Sequence, residues 1–522
     1  MTWEPELEEL RRRTEMAKEM GGPDKVARQH EFGKLTVRER VERVVDAGSF
    51  EEIGTVAGVG QYDEAGDLVA FTPSNFVFGA AEVDGRPVIV SGDDFTVRGG
   101  SADASIGAKR NHAEGLALDL RLPHIRLVDG MGGGGSVKTI ETLGRTPISQ
   151  MRGWDTVLAH LSVAPSVSLA LGSVAGIGAA RVATSHYSVI VKDTAQMMIA
   201  GPALVDFAMP GPHHDKNELG GSHVHVTNGA IDDEAESEDE AFAMARRFLS
   251  YLPTSVDELP PRADCTDDPE RRDEVLVSIV PRNPRHVYKM RAIIESIADR
   301  EADGATSFFE IGRQWGKSIV CGLARFHGWP VALFAEDPYI YGGAWTASSS
   351  QKVTRLIDLA TLFHLPLVHL VDCPGFLIGL QAEQEATIRH GSRALAALGE
   401  SPSPYFSVVI RKAFGVAGAA NWRPGSFHYR CAWPSGDWGS LPVEGGIEVA
   451  YKAELDDAPD RDAHLAAIRA RLDKVRSPFR SAEAFDIEDI IDPRDTRPLI
   501  CRWADLAGRV RQPGPSGLRF RP

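Results

Sequence analysis

The chain has 522 residues, of which 43% are hydrophobic and 25% are charged, and these fractions are typical of globular rather than disordered or fibrous proteins. A single hydrophobic core does not grow to this size, so the length predicts two domains of roughly 200–260 residues. The formal net charge of −16 argues against a nucleic-acid partner, because binding a phosphate backbone requires a basic face. A small anionic ligand held by a local site is compatible with this charge.

The five cysteines are scattered and form no CxxC pair and no set with histidine at metal-ligand spacing. They are Cys265, Cys321, Cys373, Cys431 and Cys501. Such a set predicts reduced thiols in a cytoplasmic protein and no metal site. The N-terminal stretch MTWEPELEELRRRTEMAKEM predicts a charged amphipathic helix without an apolar signal core, and no run of 18 apolar residues follows it. We therefore expect a protein without a membrane segment.

The chain contains an internal repeat. Residues 85–129 and 328–372 align without a gap at a constant offset of 243, with about 16 of the 45 positions identical. The shared anchors include Gly85/Gly328, Pro87/Pro330, Gly99-Gly100/Gly342-Gly343, Lys109/Lys352, Leu122-Pro123/Leu365-Pro366 and Asp129/Asp372. Convergent strand–turn–helix composition is the alternative interpretation, but it would not keep one register over this length.

Each copy predicts a strand, a glycine turn, a helix that ends near the Leu-Pro, and a second buried strand. Strands that alternate with helices at this spacing predict an α/β fold of repeated ββα or βαβ units. The stretch 253–274 is rich in proline and charge and has no hydrophobic period, which is typical of a linker. The predicted domains are therefore 1–262 and 263–522.

A further glycine turn follows in each half, within SVSLALGSVAGIGAARVA (166–183) and FSVVIRKAFGVAGAANW (406–422). A turn that opens a helix leaves backbone N–H groups free to bind a phosphate or an oxyanion. Neither turn has the Lys-Ser/Thr of a phosphate loop or the GxGxxG of a dinucleotide site, which favours an oxyanion hole. Close helix–strand packing explains one such turn, whereas two at corresponding places predict two carbonyl-bearing reactants.

Two other segments are weaker candidates for a site. The histidines of the stretch 211–226 could hold a metal or act as a base, but their polar, glycine-rich context favours a surface loop. The loop GMGGGG (130–135) is predicted to bring backbone against a ligand, with a plain loop as the alternative.

Ordered motifs along nearly the whole chain carry a family resemblance. They are KLTVRERVERVVDAGSFEEIG (34–54), DDFTVRGGS (93–101), GSVAG (172–176), ELGGSHVHVTNGA (218–230), FLSYLP (248–253), VDCPGFLIG (371–379), IRHGSRALAA (388–397), RKAFGVAG (411–418) and IIDPRDTR (490–497). With these motifs the chain resembles the carboxyltransferase β subunits of propionyl-CoA, acetyl-CoA and methylcrotonyl-CoA carboxylases. The resemblance implies two tandem crotonase-like domains, the first on the acyl-CoA side and the second on the biotin side.

The resemblance also implies a reaction, in which carboxybiotin on a partner subunit gives its carboxyl group to an acyl-CoA through an enolate. Gly176 and Ile177 match the first oxyanion pair, expected at the thioester oxygen, and Val416 and Ala417 match the second pair, expected at the biotin ureido oxygen. The remaining residues implied in substrate binding are Gly132, Gly133, Gly134, Ala175, Gly415, Gly418 and Ala419. The implied partner is the α subunit with its biotin carboxylase and biotin carboxyl carrier, and the implied assembly is a homohexamer.

Two departures bear on the substrate. The usual Ser-Gly-Gly-Ala-Arg of the CoA loop reads Gly-Met-Gly-Gly-Gly at 130–134, so a cation such as Lys109, Arg110 or Lys138 must replace the arginine. Ala419 stands where short-chain enzymes carry an acidic residue, and this change favours a larger or different acyl chain. A Met-Lys-Met biotin-attachment motif is absent from the sequence, so biotin is expected on another polypeptide.

Three alternatives to acyl-CoA carboxylation stay open at this stage. The same site could run in reverse, as a decarboxylase or a transcarboxylase. A crotonase-type hydratase or isomerase normally uses a pair of glutamates near the oxyanion hole, and the stretch 172–190 contains none. A non-catalytic scaffold subunit of a carboxylase is the third alternative, since the CoA loop is altered.

Overall fold

A computed structural model describes residues 2–101, 106–130, 140–141, 144–146, 148, 150–209, 211–422, 427–517 and 520. Two compact units are present, one of Met1–Glu258 with Gly514–Phe520 and one of Leu259–Pro513. The predicted Gly132, Gly133 and Gly134 and the cation Lys138 lie outside the described residues.

The first unit is built on a seven-stranded sheet with strand order β1-β4-β5-β6-β7-β9-β11. Its strands are β1 (Glu51–Glu52), β2 (Gly58–Tyr62), β3 (Leu68–Pro73), β4 (Phe76–Val83), β5 (Arg86–Asp93), β6 (His124–Val128), β7 (Ser166–Ala170), β8 (Ser173–Ala175), β9 (Tyr187–Val191), β10 (Gln196–Met198) and β11 (Asp233–Ala235). Strands β5, β6, β7, β9 and β11 run parallel, and β8 and β10 form a separate parallel pair.

Helices of the first unit cover this sheet and frame its edges. They are α1 (Glu4–Lys18), α2 (Pro23–Glu31), α3 (Val37–Val44), α4 (Gly107–Leu120), α5 (Trp154–His160), α6 (Ile177–Ala183), α7 (Pro202–Ala208), α8 (Lys216–Gly220), α9 (Ser222–Asn228) and α10 (Glu238–Ser250). Every residue of β6, β7 and β9 is buried, as expected for parallel strands covered on both faces.

The second unit repeats this plan in a sheet of order β12-β13-β14-β15-β16-β17-β19, with β18 paired to β16. Its strands are β12 (Phe309–Glu310), β13 (Ile319–Phe326), β14 (Trp329–Glu336), β15 (Leu367–Cys373), β16 (Tyr405–Phe414), β17 (His428–Ala432), β18 (Asp437–Gly439) and β19 (Asp489–Ile490). Its helices are α11 (Met290–Ile297), α12 (Ala347–Leu362), α13 (Leu380–Gln384), α14 (Thr387–Glu400), α15 (Gly415–Gly418), α16 (Val443–Ala450), α17 (Lys452–Asp456), α18 (Arg461–Asp473), α19 (Pro478–Glu483) and α20 (Thr496–Val510).

The internal repeat has a structural counterpart in each unit. Strand β5 follows β4 through the two-residue turn Asp84-Gly85, and β14 follows β13 through His327-Gly328. All four turn residues have positive φ angles between 52° and 77°, which is the requirement of a type I′ hairpin turn. In both units a parallel strand then leads through a long helix to a further parallel strand, so the α/β prediction is confirmed.

Candidate functional site

The first glycine turn links strand β8 to helix α6. Gly176 has φ 60° and ψ −124°, a backbone conformation that side chains with a Cβ rarely adopt. Its amide donates to the Met198 carbonyl at 3.2 Å, which continues the β8–β10 ladder. Ile177 is the first helical residue, so its amide has no acceptor within the helix. Gly176 is exposed, and Ala175 and Ile177 on either side are half-buried.

The second glycine turn lies at the end of strand β16. Gly415 has φ 63° and opens the one-turn helix α15, in which Val416 is 58% exposed and Ala417 is buried. A Cβ on Gly418 would lie 2.6 Å from the carbonyl carbon of Ala413, so only glycine fits there. Ala419 is exposed next to this turn. Both turns therefore have the predicted form, a parallel strand followed by a glycine with positive φ and a short helix.

A buried ionic network supports the first turn. Asp129 is fully buried and accepts from Lys34 at 2.8 Å and from Arg40 at 2.8 Å. Arg40 also donates to Glu238 at 2.7 Å and to the Leu171 carbonyl at 3.1 Å, directly before Gly172 and strand β8. Burial lowers the pKa of Lys34, and the Asp129 carboxylate opposes this effect. The network fixes the chain where β7 leads into β8.

The corresponding carboxylate of the second unit, Asp372, has different partners. It accepts from the Arg411 guanidinium at 3.0 Å, from the Tyr288 hydroxyl at 2.9 Å and from the Lys412 amide at 3.1 Å. Burial raises the pKa of Asp372 and also that of Tyr288. Arg411 and Lys412 belong to β16, so this carboxylate anchors the strand that ends at the second turn.

A cleft of about 560 Å³ lies in the first unit, within the usual size of a ligand pocket. Five cations and one acid, Asp193, line it together with aromatic and small residues. The cations are Lys25, Arg28, Lys34, Arg98 and Lys216, and the other lining residues include Phe32, Phe95, Gly99 and Ser173. Ser173 is the first residue of β8, about 10 Å along an extended strand from Gly176. The cleft is thus a locally positive site next to the first turn.

Two of the three cations considered as replacements for the CoA-loop arginine, Lys109 and Arg110, are buried or paired within the fold. Lys109 is only 8% exposed, and burial lowers its pKa to about 8. Arg110 donates to Asp93 at 2.7 Å and stacks on the Phe76 ring at 4.3 Å. Exposed cations are found instead in the cleft. Sequence patterns did not show this cleft, because its cations are spread from residue 25 to residue 216 and only the fold brings them together.

The histidine-rich stretch 211–226 is not the surface loop that its composition predicts. Most of it forms helices α8 and α9, because Asp215 and Glu218 make a capping box and Gly220 packs on the Met197 carbonyl. His225 is half-buried and bonded to that same carbonyl at 2.5 Å. Over the part of the chain that the structure describes, histidine, cysteine and carboxylate side chains form no group that could hold a metal ion. Within that same part, every helix is too short or too polar to cross a membrane.

A comparison with protein families decides what these turns belong to. Residues 28–511 match the model of the carboxyl transferase domain. The chain is a member of the carboxyltransferase family. The resemblance seen in the motifs is confirmed, and with it the class of reaction, carboxyl transfer on an acyl-CoA in a biotin-dependent family.

Individual relatives show the same similarity over nearly their whole length. The propionyl-CoA carboxylase carboxyltransferase subunit of Haloferax mediterranei is 32% identical, over 95% of each chain. The methylmalonyl-CoA decarboxylase subunit alpha of Veillonella parvula is 29% identical, over 98% of this chain and 97% of its own. The crystal structure of transcarboxylase 12S, a hexamer with methylmalonyl-CoA bound, superposes with a TM-score of 0.86 at 29% identity, over 99% and 97% of the two chains. The predicted fold of two crotonase-like domains is confirmed.

Proposed function

We propose that this carboxyltransferase moves a carboxyl group between biotin carried on a partner protein and the α carbon, or vinylogous carbon, of an acyl-CoA. The observation that carries the proposal is the pair of glycine turns, one at the end of a parallel strand in each unit. Two reactants each bear a carbonyl oxygen that gains negative charge during transfer, and preorganised N–H groups stabilise such charge.

We assign the first turn to the thioester oxygen. The Ile177 amide is its main donor, since the Gly176 amide already donates to Met198 and serves to hold the turn. Ala175 and the glycines 132–134 are assigned to the same substrate. The Coulomb contribution of the α6 N-terminus adds to the hydrogen bond, because the helix dipole is positive there.

We assign the second turn to the ureido oxygen of biotin, through the amides of Val416 and Ala417. Gly415, Gly418 and Ala419 are assigned to the same reactant, and Val416 and Ala419 are exposed to solvent at this turn. Bound carboxybiotin supplies the carboxyl group and a nitrogen that can accept the C2 proton. The turns of this chain then need only to orient two carbonyls and stabilise their charge, which agrees with the absence of histidine, aspartate and glutamate from both turn sequences.

We assign the basic cleft to the phosphates of CoA. Lys25, Arg28, Arg98 and Lys216 are exposed in it and can make charge-assisted bonds to phosphate oxygens. This assignment also explains how the chain dispenses with the arginine of the usual CoA loop.

Relatives of this chain carry out the transfer in both directions. Carboxylation is favoured by the propionyl-CoA carboxylase relatives, and decarboxylation or transcarboxylation by the Veillonella decarboxylase and transcarboxylase 12S relatives. A scaffold role is disfavoured, because both turns and a cleft of ligand size are present.

We further propose a cytoplasmic homohexamer that works with a biotin carboxylase and carboxyl carrier subunit. The five cysteines are free thiols, which suits a reducing compartment. Large apolar side chains are exposed in both units, and such surfaces mark protein interfaces. They include Ile199, Phe207 and Met209 in the first unit and Ile378, Leu380 and Leu441 in the second.

The proposal is tested by mixing the chain with a competent biotinylated partner, ATP, bicarbonate and a panel of acyl-CoAs. The variant Ile177→Pro removes the proposed donor, and proline suits the first position of a helix. We expect kcat to fall about 10²-fold to 10³-fold, as for loss of one oxyanion donor, while Ile177→Val keeps it. Failure of the wild-type chain to convert any acyl-CoA in either direction would falsify the proposal.

A further inference from the structure

A second, smaller cavity of about 20 Å³ lies in the first unit between the sheet and helices α4 and α6. Gly178 of α6 lines it, so the cavity begins one residue behind the proposed donor Ile177. Most of its other polar lining is charged and comes from β5, α4, β6 and α6. These charged residues are Asp93, Arg110, Glu114, Arg126 and Arg181.

The three arginines of this cavity are not equally paired. Arg110 donates to Asp93 at 2.7 Å, and Arg126 donates to the two oxygens of Glu114 at 3.1 and 2.8 Å. Arg181 shares Glu114 only at 3.8 Å, and its buried Nε has no hydrogen-bond partner among the described residues. Among the described residues, one of these three positive charges therefore has no carboxylate of its own.

The neighbouring histidines do not change this charge balance. Burial lowers the pKa of His124, which lies 3.3 Å from Glu114, and it lowers the pKa of His160 to about 3. Both rings are therefore neutral at pH 7. Arg181 is only 8% exposed, and burial together with the nearby Arg110 lowers its pKa to about 10. An unpaired charge at such a position is unfavourable without a further partner.

The internal repeat shows that the fold accepts other residues at four of these five charged positions. At the offset of 243, Arg110 and Glu114 correspond to the apolar Val353 and Ile357 of the second half. Asp93 and Arg126 correspond to Glu336 and His369, which bond to each other at 2.9 Å. At these four positions the second half thus has two apolar residues and one internal pair. The position that corresponds to Arg181 lies outside the described residues of the second half.

We propose that Arg181 forms a buried binding site for a carboxylate-type anion in this cavity. The planar guanidinium matches a carboxylate, and the anion balances the unmatched charge. A volume of about 10–15 Å³ on this scale holds one water molecule, so about 20 Å³ suits a single small polar group. The side chains of Arg181 and Arg110 are 10% and 18% exposed, so solvent reaches the cavity.

The carboxylate-type anion bound by Arg181 could come from two sources. One is the free carboxylate at the far end of a dicarboxylic acyl chain, and this source rests on the proposed function, because the chain would start at the thioester beside Ile177. The other is a small free anion such as formate or bicarbonate, and it does not depend on CoA binding.

Thermal unfolding in a formate titration tests the site without CoA. We expect saturating formate to raise the Tm of the wild-type chain by about 3 °C relative to Arg181→Met, because a ligand of the folded state stabilises it. Arg98→Met removes an exposed arginine of the large cleft and is expected to keep the formate effect. Without formate, Arg181→Met should be at least as stable as the wild type, because a charge facing Arg110 and Arg126 is removed.

Calorimetric titration with glutaryl-CoA and pentanoyl-CoA, which have acyl chains of equal length, distinguishes the sources. A preference of about tenfold for glutaryl-CoA that disappears in Arg181→Met identifies the acyl chain as the source. Equal affinities together with the formate effect identify a free anion. The proposal is overturned if Arg181→Met changes neither the formate effect nor the thioester preference. Loss of the proposed function would appear differently, as absence of CoA binding with the formate effect intact.

Discussion

Gly172 lies at the junction of β7 and β8, where a side chain has no room. A Cβ there would overlap the Asp129 carboxylate and would lie 2.7 Å from the Lys34 amine. We expect Gly172→Ala to lower the free energy of unfolding by about 3 kcal/mol or more, because it disturbs a buried charge network. Gly107→Ala is the matched control, since its Cβ meets nothing within 4 Å, and it should change stability by less than about 1 kcal/mol. Urea unfolding of both variants measures the difference, and equal values would contradict the packing argument.

Lys109 makes stability depend on pH in the alkaline range. Its pKa is about 8 in the folded chain against the ordinary lysine value of 10.5, because burial disfavours the cation. Between these values the unfolded chain binds a proton that the folded chain does not, so the free energy of unfolding rises with pH. Below pH 8 both states are protonated, and the full unfavourable effect of burial, about 3 kcal/mol, remains.

The variant Lys109→Met should therefore be more stable than the wild type at pH 7, and the difference should shrink between pH 8 and 10.5. The repeat partner Lys352 provides the contrast, because its amine donates to the carbonyls of Trp315 and Ile319 at 3.0 and 2.8 Å. Lys352→Met should be destabilised at both ends of that range. Denaturant titrations at pH 7 and pH 10 check both expectations, and a pH-independent effect of Lys109→Met would show that its amine is not the titrating group.

For single residues, the sequence predicts the backbone conformation of the two turns better than the hydrogen-bond partners in and around them. The glycines at the two turns were recognisable because a positive φ and a helix start impose a residue type. The Met198 carbonyl, which accepts from the Gly176 amide, was not recognisable in the sequence, because β10 pairs with β8 through only three residues. The buried arginines of helix α4 and β6 were also unexpected, because a hydrophobic period does not show which charged residues turn inward.

Among the elements, helix α12 depends strongly on its start. It has 16 residues, most of them buried, and Thr346 caps it by accepting from the Ser349 amide at 3.0 Å. We expect Thr346→Ala to destabilise the second unit by about 1–2 kcal/mol. Thr354→Ala removes the same atoms inside the helix, where the hydroxyl bonds to the Ser350 carbonyl, and should have a smaller effect. Chemical unfolding followed by circular dichroism separates the two, and a larger effect of Thr354→Ala would contradict the capping argument.

The ends of the long helices show what the repeat could and could not predict. The Leu-Pro in each half correctly places the end of α4 after Leu120 and of α12 after Leu362. The residues that turn the chain there are Arg121 and His364, at φ 56° and 59°, where glycine is the common choice. The pattern therefore gave the position of each helix end, but not the left-handed residue that forms it.

For the whole molecule, the exposed apolar surface leads to a prediction on assembly. Phe207 on helix α7 is 86% exposed, with Ile199 and Met209 near it in sequence. If this surface joins copies of the chain, Phe207→Glu should shift the mass measured by light scattering from a hexamer toward smaller species. Val59→Glu changes another exposed apolar residue, on the β2–β3 pair, and should leave the mass unchanged. An unaltered hexamer in Phe207→Glu would place the interface elsewhere.

The bond from Gly176 to the Met198 carbonyl has a thermodynamic consequence. Because strand β10 holds the turn, its backbone entropy is lost when the chain folds and not when acyl-CoA arrives. For a thioester bound at this turn, as proposed above, association needs no ordering of the Gly176 backbone. Under that assignment, a substitution that loosens β10 would lower the affinity for the thioester, because the three-residue β8–β10 pairing holds the turn.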